Sequence, residues 1–348
     1  MEDNAVKMNL VGMTIGQLRE VASDNGLPRF AAGQIAGWLY GTQVDSIDRM
    51  SNLSLKARAA LKEKYCVSLP GPIHYVESSD GTRKYLFPVA GGHNVETVFI
   101  PDGDRATLCV SSQVGCKMGC VFCMTGRQKF TYSLTAGEIL NQILSLPEKQ
   151  RLTNIVFMGM GEPLDNLDNV LSVVEILTSP WGFGWSPHRI TISTVGVRRG
   201  FRRLIEDCEC HIAVSLHAPV PARRLELVPA EKAFSMSEMI GILGNYDFSH
   251  QRRLSFEYTM FSGVNDSADD ARQLARTLEG LSCRVNLIRF HSIPDSPLAT
   301  SPDVNMLAFR DILTSSGIFA TIRASRGEDV WAACGMLNTA REKTTETK

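Results

Sequence analysis

The chain has 348 residues, 44% of them hydrophobic and 21% charged, with a formal net charge of −1. That length buries a sizeable core as one large domain or two unequal ones, and the near-neutral balance argues against a dedicated duplex-DNA binder. No apolar run reaches the ~18 residues of a membrane-spanning helix, and the opening MEDNAVKMNL is too polar and acidic for a secretory signal, so a cytoplasmic protein is expected.

Residues 1–70 read as a small helical domain. In TIGQLREVASDNG, Thr14 and Gln17 form a capping box and Gly26 is a stop. Further helices are expected over 30–41 and 54–65. Residues 71–104 switch to alternating strands, with hairpin turns at Asp80-Gly81 and Gly91-Gly92.

From 105 to 340 apolar strands alternate with amphipathic helices. Strands are predicted at 106–113, 154–161, 189–196, 211–218, 254–261, 285–292 and 319–325. Helical stretches such as TAGEILNQILSL and NLDNVLSVVEILT fall between them. This α/β pattern implies a parallel sheet. Without the first-turn glycine fingerprint of a dinucleotide fold, it favours a barrel or part of one. The polar tail, 341–348, is expected to fray. Four arginine pairs, Arg198-Arg199, Arg202-Arg203, Arg223-Arg224 and Arg252-Arg253, read mostly as solvated surface. Together with the helical domain, they are where a near-neutral chain would touch nucleic acid.

Nine cysteines is an odd count. In a chain this long without an export signal, metal or catalytic roles outrank a disulfide framework. Three of them, Cys116, Cys120 and Cys123, lie in GCKMGCVFCMTG. Thiolates suit zinc, copper(I) and iron–sulfur clusters. Structural zinc wants four ligands, and Cys109, Cys208 or Cys210 could supply the fourth. The other reading is a four-iron cluster held by three cysteines, with one iron open to a substrate. The motif follows the first barrel strand, where barrel chemistry sits. Four more strand ends, GMGEP, ISTVG, SLHAP and RFHS, place glycine or polar residues directly after an apolar run.

The C-x-x-x-C-x-x-C spacing, with Phe122 before the last cysteine, resembles the cluster signature of the radical S-adenosylmethionine (SAM) superfamily. GMGEP resembles that superfamily's segment meeting the amino group of SAM. VETVFIPDGDRATLCVSSQVGC, IRASRGEDVWAACGML, FMGMGEP and SLHAP together resemble the RlmN family of RNA adenine-C2 methyltransferases, over nearly the whole chain. The resemblance implies a partial (β/α) barrel of the radical SAM type, with a helical N-terminal domain and a short antiparallel extension. It implies one [4Fe-4S] cluster on Cys116, Cys120 and Cys123. It implies SAM contacts at Gly161, Glu162, Ser193, Ser215, Leu216, His217 and His291, the last standing where the family often has asparagine. It makes Cys334 the methylated cysteine, Cys109 the cysteine that resolves the covalent RNA intermediate, and Glu96 a proton acceptor.

The implied activity is methylation of adenosine C2 in 23S rRNA and in tRNA next to the anticodon. An electron donor such as flavodoxin or ferredoxin and a monomeric state are implied with it. C2 is an electron-poor carbon with no lone pair to offer, so polar methyl transfer has nothing to use. The family's route runs through a methyl-cysteine and two SAM molecules per turnover, and a disulfide between Cys109 and Cys334 releases the product. Read by themselves, Cys109 and Cys334 are small buried hydrophobes, Glu96 is a surface charge on an alternating strand, and His217 is a core histidine. A C8-specific relative shares all five cysteine roles. A zinc-stabilised RNA-binding protein and a thiol oxidoreductase using Cys109 and Cys334 are readings from other classes.

Overall fold

The computed structural model describes residues 7–338, so the polar tail and the first six residues lie outside it. At the N-terminus, Thr14 accepts from the Gln17 amide and the Gln17 side chain accepts from the Thr14 amide, which starts α1 (Ile15–Asp24). The expected second helix is shorter than predicted: α2 (Ala31–Ala36) widens into π-helical turns over Gly37–Thr42. The third is α3 (Leu55–Lys64). Tyr40 ties this region to the remainder, packing against Trp181 and Phe183. Gly12 docks on the start of the next helix so closely that a Cβ there would lie 2.2 Å from the Gly137 nitrogen.

Among the described residues, ten strands form one sheet in simple chain order. They are β1 (His74–Glu77), β2 (Arg83–Val89), β3 (His93–Asp102), β4 (Arg105–Cys109), β5 (Asn154–Phe157), β6 (Ile190–Thr194), β7 (His211–Ser215), β8 (Leu254–Met260), β9 (Arg284–Arg289) and β10 (Phe319–Ile322). β1 to β4 pair antiparallel, and β4 to β10 pair parallel. The first and last strands are not paired to each other, so the barrel is partial. A third hairpin turn, unforeseen in the sequence, lies at Gly103 (φ 57°). It fuses the antiparallel extension to the first barrel strand.

Each parallel step crosses over through helix: α4 (Ala136–Leu144), α5 (Leu167–Thr178), α6 (Arg198–Asp207), α7 (Pro221–Leu227) with α8 (Met236–Leu243), α9 (Ala268–Thr277) and α10 (Asp303–Ser315). α4, α8 and α9 start with capping boxes of their own. Ile155, Ile192, Ile212, Val214, Phe256, Val285 and Leu287 are fully buried in the strands. Each such side chain contributes roughly 1.5–3 kcal/mol, so apolar wall residues fix the sheet and leave its strand ends free for polar chemistry. The predicted strands overrun at those ends: the fourth was expected to 218 and stops at Ser215, and the second was expected to 161 and stops at Phe157.

Candidate active site

The loop bearing Cys116, Cys120 and Cys123 follows β4 and ends in a single helical turn, Met124–Arg127. A cleft joins the three thiols to Gly161, Glu162, Ser193, Ser215 and His217, so the cysteine loop and the ends of β5, β6 and β7 meet in one place. Gly161 (φ 99°) has no room for a side chain: a Cβ would sit 2.5 Å from that of Gln113. Gln113 accepts from the Glu162 amide at 2.9 Å and donates to Asp165 at 2.8 Å. The residues just before the loop thereby set the GMGEP segment.

The Glu162 carboxylate is buried and accepts from the Thr194 hydroxyl (2.6 Å) and from the amides of Val195 and Leu164 (both 3.0 Å). Burial pushes its pKa up to about 7. His217 takes a left-handed conformation (φ 57°). Its Nδ1 accepts from the Thr259 amide at 3.0 Å, and Phe122 meets its ring edge-on at 4.7 Å. Burial lowers its pKa to about 3, with Arg224 adding to the effect. The ring is neutral.

Arg224 organises this side of the cleft. It is fully buried, and its guanidinium donates to the carbonyls of Leu216 (3.0 Å), Val195 (2.9 Å) and Ser215 (2.9 Å) and pairs with Glu231. The expectation of a solvated Arg223-Arg224 pair is therefore corrected, because Arg223 also pairs, with Asp270. Arg252 donates to carbonyls of Leu204, Ile205 and Cys210, and Arg198 and Arg203 pair with Glu238 and Asp168. Arg252 braces the fold, whereas Arg198 and Arg203 are exposed, as a solvated surface requires.

The donor set fits an iron–sulfur cluster better than a zinc ion. A cluster presents separate irons and takes separate thiols. Cys208 and Cys210, candidate fourth zinc ligands, flank the other end of β7, away from the strand ends that form the cleft. Burial raises the thiols of Cys116, to about 12, and of Cys120 and Cys123, with negative neighbours adding to the effect at Cys116 and Cys120. Thiols so placed keep their protons until a metal group takes them as thiolates.

Cys334 shares this cleft and also lines a second cavity, which contains Cys109. Both are free thiols. Cys109 is buried and pushed up to about 12. Cys334 is open to solvent, yet the protein around it raises its thiol too, and Arg323 pulls it back down. Arg323 faces both sulfurs and is backed by Glu257 at 3.5 Å. Glu257 itself is buried and held by Asn286 (2.7 Å) and Ser255 (3.0 Å). Sequence reasoning missed it, although a carboxylate inside the apolar run LSFEYTM is a signal that a buried charge has work to do. Met158 and Phe290, which line the cleft as well, carried no such signal.

Three expected site residues do not line this cleft. His291 faces the second cavity, with Nδ1 3.1 Å from Glu328. Leu216 is buried behind the cleft and offers its carbonyl to Arg224. Glu96 is not the surface charge its strand suggested. It is buried, pairs with Lys84 at 2.8 Å and accepts from the Asn338 amide at 2.6 Å. It borders neither cavity and anchors the segment that carries Cys334.

Residues 110–275 match the family model of the radical SAM superfamily, and residues 8–67 match that of the ribosomal RNA large subunit methyltransferase N-terminal domain. The probable dual-specificity RNA methyltransferase RlmN of Bacteroides fragilis is 60% identical, covering 97% of this chain and 98% of that protein. The dual-specificity RNA methyltransferase RlmN of Roseobacter denitrificans is 42% identical over 97% of this chain and 90% of its own length. The crystal structure of a radical SAM methyltransferase from Sphaerobacter thermophilus matches with a TM-score of 0.87 and 40% identity, covering 95% of this chain and 99% of that one.

Proposed function

The chain belongs to the RlmN family of radical SAM RNA methyltransferases, and from that premise we propose that it methylates C2 of adenosine in 23S rRNA and in tRNA. The observation that carries this reading is Cys334, which opens at once on the cleft of the three loop thiols and on the cavity of Cys109. A methyl carrier has to face both its source and its acceptor.

Cys116, Cys120 and Cys123 would hold a [4Fe-4S] cluster, and Gly161, Glu162, Ser193, Ser215 and His217 would surround its SAM. Leu216 and His291 would act from behind the cleft and from the neighbouring cavity. When bound, the cluster and SAM supply one-electron reduction, a transferable methyl group and hydrogen-atom abstraction. Neutral His217 offers no competing charge to the sulfonium. Arg323 favours the thiolate at Cys334, the form that accepts a methyl group, and at Cys109, whose Sγ takes the C2 proton. Attack of the Cys109 thiolate on Cys334 Sγ then forms the sulfur–sulfur bond as the Cys334 sulfur–carbon bond to the adenosine breaks; the electron pair stays on the carbon, which takes a proton to become the C2 methyl group. We read Glu96 as the anchor of the Cys334 segment. The helical region 1–70 is read as an accessory RNA-binding domain, residues 71–104 as the hairpins leading into the barrel, and 105–340 as the catalytic barrel. A monomer served by a flavodoxin- or ferredoxin-type donor in the cytoplasm completes the proposal. Among the described residues no helix is long and apolar enough to cross a membrane.

Mass spectrometry of nucleosides from RNA treated with the anaerobic enzyme tests the assignment. It is expected to show 2-methyladenosine, and 8-methyladenosine in its place would overturn it.

A further inference from the structure

Two neighbouring cysteines stand outside the reaction above. Cys208 follows the last residue of α6, and Cys210 precedes the first residue of β7. Cys208 has an extended backbone (φ −146°, ψ 151°), and in an extended chain residues two apart point to the same side. The order Cys208-Glu209-Cys210 therefore sets two thiols side by side, and they hydrogen-bond to each other. Both are free. Arg252 clamps the segment through the carbonyls of Leu204, Ile205 and Cys210, and its cation acts on both sulfurs.

The two sulfurs are not equivalent. Cys208 is 8% exposed and lines a separate cavity of about 740 Å³, whereas Cys210 is wholly covered and does not line it. The hydrogen bond from Cys210 lowers the Cys208 thiol to about 7, with burial and Glu209 opposing it and Arg252 helping. The same bond, with burial, pushes Cys210 well up. One thiol is thus reachable and nucleophilic near neutral pH, and its shielded neighbour keeps its proton. The cavity sets five carboxylates, Asp168, Glu175, Glu206, Asp207 and Glu209, against Arg203. Such a lining repels an anionic oxidant, a glutathione disulfide for example, and admits a small neutral one.

We propose that Cys208 and Cys210 form an oxidant-reactive dithiol whose substrate is a small hydroperoxide. The Cys208 thiolate attacks the outer peroxide oxygen. The oxygen–oxygen bond breaks, Cys208 becomes a sulfenic acid, and the departing oxyanion takes a proton from solvent to leave as an alcohol, or as water from hydrogen peroxide itself. Cys210 Sγ then attacks Cys208 Sγ. The sulfur–oxygen bond breaks, and hydroxide leaves with the Cys210 proton as water. The two sulfurs lose two electrons, and the peroxide gains them. A bridge across a single residue is strained, so a dithiol reduces it readily. The site needs neither RNA nor a methyl donor and does not depend on the methylation reading.

The test uses the full-length, anaerobically purified protein and graded equivalents of hydrogen peroxide, followed by denaturation in N-ethylmaleimide and mass spectrometry of the tryptic digest. Both thiols fall in one fragment, residues 204–223. In the wild type this fragment is expected to lose two hydrogen atoms and take up no maleimide, and dithiothreitol added before the quench should restore both labels. Cys210→Ser should instead leave Cys208 as a sulfenic acid that dimedone captures, and Cys208→Ser should leave Cys210 fully labelled. Cys283, whose thiol burial pushes up to about 11, is the internal control in the fragment of residues 277–284 and should keep its label. If a serine variant does not fold, the wild-type loss of two hydrogens and its reversal by dithiothreitol carry the test. Full labelling of Cys208 and Cys210 at peroxide levels that already consume Cys283 would overturn the proposal. So would oxidation of Cys208 to sulfinic acid with no bridge formed.

Discussion

The amide of Met124 donates a 2.7 Å hydrogen bond to the carbonyl of Gly335. It joins the residue after Cys123 to the residue after Cys334, two positions far apart in the chain. Thr125 reinforces the link by donating its hydroxyl to the Leu337 carbonyl at 2.7 Å. The segment of Cys334 is thus hydrogen-bonded into the turn that closes the loop of Cys116, Cys120 and Cys123.

Cys334→Ala should abolish methylation, because no carrier remains. Cys109→Ala should instead leave protein and RNA covalently joined, visible as a band shifted on a denaturing gel and sensitive to ribonuclease. A Cys109→Ala enzyme that turns over normally would remove the resolving role.

The Glu96–Lys84 pair gives a second prediction. Lys84 is largely buried and Glu96 almost wholly so, and stripping one partner from such a pair costs on the order of 3 kcal/mol. Lys84→Met should therefore lower the unfolding midpoint clearly. Glu96→Gln keeps an acceptor for the Asn338 amide. If Glu96 anchors rather than exchanges protons, Glu96→Gln retains measurable methylation and its pH profile keeps the wild-type shape. A stable Glu96→Gln protein without activity would make Glu96 a proton acceptor after all.

Arg224→Ala leaves Glu231 buried without its cationic partner and takes the guanidinium donor from the carbonyls of Leu216, Val195 and Ser215. A loss of about 3–5 kcal/mol in denaturant unfolding is expected. Arg224→Lys should rescue little, since an ammonium cannot copy the planar fork. An unchanged midpoint would show that the strand-end loops hold themselves.

The fold was legible where the signals are local. Strand and helix periods, the Thr14–Gln17 capping box and the Asp80-Gly81 turn are written in neighbouring residues. The cysteine loop was legible because its spacing is itself the chemistry. Strand ends were not: apolar Val110, Met160, Leu216 and Phe290 continue the pattern of their strands but lie past the last paired residue, in segments whose backbone turns into the site. Long-range partners were not legible either. Nothing near Arg224 announces a buried ion pair, and nothing near Glu96 announces Lys84 across the hairpin or Asn338 near the end of the chain.

His217 supplies the pH prediction. Burial lowers its folded pKa to about 3, below the ordinary histidine value of 6.5. The unfolded chain therefore binds the extra proton first as pH falls. The stability tied to the neutral ring is fully present above pH 6.5 and is lost as pH drops from there towards 3. His217→Asn tolerates the left-handed backbone and keeps an acceptor for the Thr259 amide. It should flatten this acid limb in urea unfolding measured at several pH values. An unchanged slope would show that other groups carry it.

Electron paramagnetic resonance with iron analysis on the anaerobically purified, reduced protein tests the central claim most directly. The account predicts roughly four irons per chain, lost in the Cys116→Ala, Cys120→Ala, Cys123→Ala triple variant, and a signal that changes when SAM is added. A centre holding zinc, or an iron–sulfur signal unmoved by SAM, would contradict it.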